Sequence, residues 1–186
     1  YAPLSPENYR TYRHWLSGLL GWPPEDLDMS SVAAFRSHYH KKVAINTGYL
    51  APNGTLRLEV AGWRDVPLTG DLMERYKRLL RESIEQGAVG FTTASSYYPG
   101  PWTSTDELVE ICTLLKELGG VYMTEPRRAN PERAFGGGGV PEALEIARRT
   151  GVKLHFAHYR THPHSAGQVT QIMAGIDAAK AQGADV

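Results

Sequence analysis

Cysteine is almost missing from this chain. Cys112 stands alone among 186 residues, so no disulfide can form within it. It falls in an apolar helical pattern and reads as a buried thiol, which makes a reducing, cytoplasmic setting the expectation. An excess of one charge is missing too: 20 Lys and Arg residues balance 20 Asp and Glu. There is thus no basic stripe for nucleic acid and no acidic tail for a basic partner. No apolar run is long enough to span a membrane, and no signal-peptide pattern is present. The chain begins at Tyr1 rather than Met and stops where Ala184–Val186 opens a further strand, so both ends read as cuts through something larger.

Several familiar catalytic signatures are also absent. No GxGxxG opens a helix after the first strand. The run Gly136–Gly139 lacks the lysine and hydroxyl residue of a phosphate loop and reads as a βα connection. There is no nucleophile elbow and no HExxH. No HxH ends a strand: His38-Tyr-His40 has that spacing but lies in a helical pattern, and with His14 it reads as structural or exposed.

The composition that remains, 41% hydrophobic and 22% charged, is that of a globular domain with a real core. Ser5-Pro6 starts a helix carrying Tyr9, Tyr12, Trp15, Leu16, Leu19 and Leu20 at helical spacing, stopped by Gly21-Trp-Pro-Pro24. Ser30 or Ser31 caps a second helix running to about Lys42. Residues 43–50 read as the first strand and Ala51–Gly54 as a turn, followed by a short amphipathic piece and a loop from Trp63 to Gly70.

A rhythm then sets in. Helices over 71–86, 105–118, 140–150 and 169–182 each end at a glycine (Gly87, Gly120, Gly151, Gly183), about every 32 residues. Strands at 88–92, 121–124 and 152–157 follow the first three of them. Strand–helix units of this length, without hairpin signals, imply a parallel α/β sheet with right-handed crossovers. Such units build either an open doubly wound sheet or a closed eightfold barrel, and a whole barrel takes about 250 residues. Four strands and a stub make this a partial (β/α)8 barrel. Residues 1–42 form a helical N-terminal segment ahead of units at 43–186.

In parallel sheets chemistry collects at the C-terminal strand ends. Glu125 ends one strand and His158 follows the next; each is either a metal ligand or a plain polar terminus, with Arg127 the obvious partner for the carboxylate. His162 and His164 read as surface residues, and His155 as turned away from His158 or packed in the core. Tyr97 opens an aromatic turn that either walls a pocket or packs on its own helix. Arg160 is either a bidentate carboxylate clamp or simply solvated.

Six stretches, taken in order, carry a resemblance: Asn46–Arg57 (NTGYLAPNGTLR), Gly87–Thr92 (GAVGFT), Ser96–Gly100 (SYYPG), Thr105–Leu108 (TDEL), Gly119–Thr124 (GGVYMT) and Gly151–Arg160 (GVKLHFAHYR). Together they resemble the N-acyl-D-amino-acid deacylases (D-aminoacylases) of the amidohydrolase superfamily. The resemblance implies a metal-dependent hydrolase on a (β/α)8 barrel, in which zinc polarises an amide carbonyl and activates water while an aspartate acts as general base. His158 matches a metal-binding histidine of that family. Arg160 falls where the family has a lysine that holds the substrate carboxylate, and Tyr97 on a tyrosine of the substrate-side loop.

Glu125 departs from the pattern: the family's Thr-His-x-Arg, with its second metal-binding histidine, reads Thr124-Glu-Pro-Arg127 here. The family's HxH strand and bridging cysteine would precede Tyr1, and its catalytic aspartate would follow Val186. The expectation is therefore a zinc amidohydrolase acting on a small N-acyl-D-amino acid or related amide. Its site would be completed by segments of the same polypeptide or of a partner chain. The alternative is a non-catalytic barrel piece, a scaffold or binding subunit that has lost its metal.

Overall fold

A computed structural model of the chain describes residues 2–161 and 163–186. Three short helices come first: α1 (Pro6–Trp15), α2 (Ser17–Leu20) and α3 (Val32–Ser37). Ser5 caps α1 by accepting the Asn8 N–H, and Ser31 caps α3 by accepting that of Ala34. Strand β1 (Leu50–Pro52) then leads straight into α4 (Asn53–Ala61), followed by α5 (Asp71–Glu85), β2 (Gly90–Ala94), α6 (Thr105–Glu117), β3 (Val121–Glu125), α7 (Gly139–Thr150), β4 (Lys153–Phe156) and α8 (Val169–Ala181).

The four strands are parallel and lie in the order β1-β2-β3-β4. Strand order that follows chain order without reversal is the arrangement of a barrel wall; a doubly wound sheet turns back at a switch point. The register fixes what each face carries. Ala51, Phe91, Tyr122 and Leu154 form one row across the sheet, and all four are buried. They meet Leu80 of α5, Leu108, Ile111 and Leu115 of α6, and Ile146 of α7 in the main core. The opposite face carries Thr92, Met123, Glu125 and His155, partly or fully exposed, and in a closed barrel it would line the interior.

Gly90 shows why the sheet needs glycine at one point. A Cβ there would lie 2.1 Å from the Val121 carbonyl oxygen. A second small core, Leu4, Tyr9, Tyr12, Leu16, Met29 and Leu58, fastens α1 to α4. Glu59 completes that joint by accepting from Ser5 N (2.7 Å), Ser5 Oγ (3.0 Å) and Asn8 Nδ2 (2.8 Å), an anion at the positive end of α1.

Four expectations change. Of residues 43–50 only Leu50 belongs to a strand: turns and bends occupy 38–45, Val43 and Ile45 are exposed, and the chain first reaches the sheet where the Tyr49 carbonyl accepts from Val89 N–H (2.8 Å). The second helix accordingly stops at Ser37, short of Lys42. Ala51–Gly54 is not a turn. Asn53 is drawn into a buried set of bonds, accepting from Tyr76 OH (2.7 Å) and donating to Thr103 Oγ1 (3.2 Å), and this starts α4 directly at the strand end. α4 is consequently buried on nearly every side rather than amphipathic, with Leu56, Arg57, Leu58, Val60 and Ala61 all inside. The chain's last residues contribute one bond to the sheet edge, from Leu154 N–H to the Asp185 carbonyl (2.8 Å). Among the described residues no helix is long and apolar enough to cross a membrane.

Candidate active site

The register of β3 and β4 decides which strand ends meet. Thr124 pairs with Phe156, and the ladder runs one step further through Ala157 N–H to the Thr124 carbonyl (2.9 Å). The next residues of each strand, Glu125 and His158, therefore emerge side by side at the C-terminal edge. His158 Nε2 lies 3.9 Å from Glu125 Oε2; the Glu125 side chain is 23% exposed and that of His158 is 68% exposed. The separation is too long for a hydrogen bond. It lies within the span of one ion, since two zinc–ligand bonds of about 2.1 Å reach at most ~4.2 Å. An imidazole nitrogen and a carboxylate oxygen are both zinc donors, so the pair fits part of a zinc site. Among the described residues no group of three or more such donors comes together.

His158 turns the chain with φ 35°, a left-handed conformation that non-glycine residues seldom hold and that tends to collect at functional positions. Arg160, two residues on, is exposed. His155 is exposed and shares the open face of the sheet with Met123 and Glu125; it is neither turned away from the site side nor packed in the core. His164 is exposed in a 3-10 turn, and His162 lies outside the described residues.

On the other side of β3, β2 ends at Ala94, the register partner of Glu125. Tyr97 follows, bonded through its N–H to the Ala94 carbonyl (3.0 Å) and 37% exposed. Its neighbour Tyr98 packs on Trp102 (5.2 Å between ring centroids) and donates to Asn130 Oδ1 (3.0 Å). The aromatic turn thus divides its work. Tyr98 ties it to the β3–α7 loop, while Tyr97 stays free at the same edge as Glu125.

Arg127 does not pair with Glu125. It turns inward, to Glu142 on the first turn of α7, with Nε 3.1 and 2.8 Å from the two carboxylate oxygens. Its other nitrogens donate to the carbonyls of Pro101 (2.8 Å) and Thr103 (2.6 Å). Glu142 also accepts from Thr105 Oγ1 (2.8 Å), whose oxygen accepts from Phe135 N–H (2.8 Å). This set was not foreseen from the sequence. Its one signal was Arg127 in the TEPR run; Glu142, behind Pro141 in a helix's first turn, looks like an ordinary dipole-complementing acid. Further in, Arg57 is wholly buried and donates to Thr103 Oγ1 (3.4 Å) and the Val66 carbonyl. Burial pulls its pKa down, and the negative charge of Glu107 is the largest opposing influence.

Two sizeable hollows lie elsewhere. One, of about 850 Å³, is bounded by Phe35, Gly48, Tyr49 and Gln86; the other, of about 650 Å³, by Leu144, Gly151, Val152 and Gly183. Tyr49, Gln86, Gly151 and Val152 precede their strands, so these hollows sit toward the N-terminal edge, which in barrels serves stability rather than chemistry.

Comparison with known proteins points to one group. The chain is 30% identical to N-acyl-D-glutamate deacylase of Alcaligenes xylosoxydans xylosoxydans over 171 residues, 90% of this chain and 34% of the relative. It is 25% identical to D-aminoacylase of the same organism over 140 residues, 75% of this chain and 28% of the relative. The crystal structure of N-acyl-D-glutamate deacylase from Bordetella bronchiseptica, complexed with zinc and a phosphonate inhibitor that mimics the tetrahedral intermediate, superposes with a TM-score of 0.79 at 28% identity, covering all of this chain and 37% of that one. No protein-family model matches the chain. The chain spans about a third of the length of these relatives.

Proposed function

We propose that this chain, a homologue of the D-aminoacylases and N-acyl-D-amino-acid deacylases of the amidohydrolase superfamily, forms the metal-binding middle of a zinc-dependent deacylase barrel acting on N-acyl-D-amino acids or a related amide. The observation that carries this reading is the approach of His158 Nε2 to Glu125 Oε2 at 3.9 Å, at the strand edge where barrels hold their chemistry. Residues 43–186 contribute central βα units and residues 1–42 a helical segment ahead of them. The remaining ligands and the general base come from outside these 186 residues, from the same polypeptide or a partner chain; the threefold greater length of the relatives favours this. A cytoplasmic location agrees with the single buried thiol.

When bound, zinc would polarise the amide carbonyl and activate water for attack. The residues of this chain contribute two ligands and the substrate contacts. Glu125 and His158 hold the ion from adjacent strands, Glu125 adding a negative charge where the family resemblance implies a neutral imidazole. Arg160 engages the substrate carboxylate, whose planar shape its fork matches. Tyr97 walls the substrate side from the neighbouring loop.

The test is hydrolysis of N-acetyl-D-glutamate, with the L-enantiomer as control, by the intact natural polypeptide before and after removal of metal by chelation. Release of D-glutamate that stops on chelation and returns with zinc supports the reading. The rival reading, a barrel unit without a metal, is favoured by Glu125-Pro126 in place of His-x; zinc-independent inertness toward both enantiomers would establish it.

A further inference from the structure

We propose that Arg127 is a positioning residue for the metal-binding edge, acting with Glu142 to fix the strand end that carries Glu125. This rests on the reading of Glu125 as a ligand given above. Only Pro126, with its ring-fixed φ, separates the two residues, so the direction of the Glu125 peptide is tied closely to where Arg127 is held. Arg127 is held from four sides. Its side chain is 1% exposed and its guanidinium donates to Glu142, to Pro101 O and to Thr103 O. Its own carbonyl accepts from Gly139 N–H (3.2 Å). Gly138, at φ 93°, closes over it so tightly that a Cβ would lie 3.2 Å from Arg127 Cβ, Cδ and O.

A buried ion pair is a poor way to gain stability, because desolvation consumes most of the attraction and an apolar pair often does as well. What it supplies is direction. The guanidinium is planar, and every one of these bonds constrains its orientation. Here the bonds join three parts of the C-terminal edge: the β2–α6 loop at Pro101 and Thr103, the β3 end, and the first turn of α7. The edge has a second clasp for comparison. Arg133 forms a two-pronged bond with Asp65 (2.6 and 2.7 Å), but both side chains are partly exposed and neither lies on a strand end. That clasp ties loops without touching the strand that carries Glu125.

The experiment uses the intact natural polypeptide and compares Arg127→Lys, Glu142→Gln, Asp65→Asn and Glu125→Ala with the wild type. Zinc affinity is read by competition against a chromophoric chelator, the visible spectrum of the cobalt-substituted protein reports ligand geometry, and circular dichroism checks the fold. Arg127→Lys keeps the charge and loses the fork. It is expected to weaken zinc by about tenfold or more, the usual effect of removing a group that orients a ligand, and to shift the cobalt spectrum. Glu142→Gln keeps the shape, moves both readouts in the same direction by less, and carries the test if Arg127→Lys does not fold. Asp65→Asn leaves both unchanged. Wild-type affinity and spectrum in the Arg127 and Glu142 variants, with Glu125→Ala impaired, would overturn the positioning role alone. An equal loss in Asp65→Asn would overturn it too, since general loosening of the edge would then suffice. Wild-type affinity in Glu125→Ala would remove the metal reading beneath it.

Discussion

Thr124 and Phe156 are register partners on adjacent parallel strands, and from that pairing follows the meeting of Glu125 and His158 one and two residues later. The site is therefore a consequence of how β3 and β4 align. Anything that shifts the alignment by one residue would send the two donors to opposite faces.

The tightest point of that sheet is Gly90. With a Cβ placed 2.1 Å from the Val121 carbonyl, Gly90→Ala must push β2 and β3 apart. The expected cost is about 3 kcal/mol, at the upper end of overpacking effects, read as a lowered urea midpoint with an unchanged slope.

Helix α6 starts with a capping box, in which Ser104 Oγ accepts from Glu107 N–H and Glu107 accepts from Ser104 N–H (2.6 Å). Ser104→Ala removes one half and should cost about 1 kcal/mol. Glu107→Ala should cost more, because Glu107 also accepts from Leu68 N–H and so anchors the loop before α5. Equal midpoints for the two variants in urea unfolding would contradict this.

Burial pushes the Cys112 thiol and the hydroxyls of Tyr49, Tyr76 and Tyr122 above their ordinary pKa values. The unfolded chain begins to release these protons near pH 8.5 for the thiol and near pH ~10 for the tyrosines, while the native state keeps them. The native state then binds more protons, so stability is full below about pH 8.5 and falls as pH rises further. Unfolding midpoints measured from pH 8 to 10.5 should decrease steadily, and a thiol reagent at pH 8.5 should label Cys112 only after unfolding. Rapid labelling of the native protein would contradict the burial.

The role proposed for Arg160 is to hold the substrate carboxylate, an interaction that would be made in the ground state and the transition state alike. Arg160→Ala should raise KM by about tenfold or more with kcat little changed. A fall in kcat at constant KM would move Arg160 from substrate binding to the chemical step.

The sheet was legible because its signals are local. Apolar runs of four to six residues follow helices that end at glycine, and the structure places positive φ at Gly87, Gly119, Gly151 and Gly183. One stop sits a residue earlier than expected, at Gly119, because Gly120 instead packs where a Cβ would strike Leu115. The first strand was misplaced for a matching reason. Val43 and Ile45 have strand-like chemistry, but the chain first meets β2 at Tyr49, and pairing partners leave no mark in a local window. Asn53 and Gly54 look like turn residues until Tyr76 and Thr103, distant in sequence, draw Asn53 into the core. The Arg127–Glu142 pair was hidden similarly: each residue alone looks solvated, and only the fold makes them neighbours. Glu125 and His158 stood out because both sit at strand ends, and the register then brings them together.

The central claim, that Glu125 and His158 hold one zinc ion, is tested most directly by zinc stoichiometry and affinity of the intact natural polypeptide, measured for the wild type beside Glu125→Ala and His158→Ala. The account predicts bound zinc in the wild type and a loss of affinity of at least about a hundredfold in each variant, the effect of deleting a direct ligand rather than a group behind one. A wild-type protein that purifies without zinc and binds none when zinc is added, or variants that bind it as tightly as the wild type, would contradict the claim.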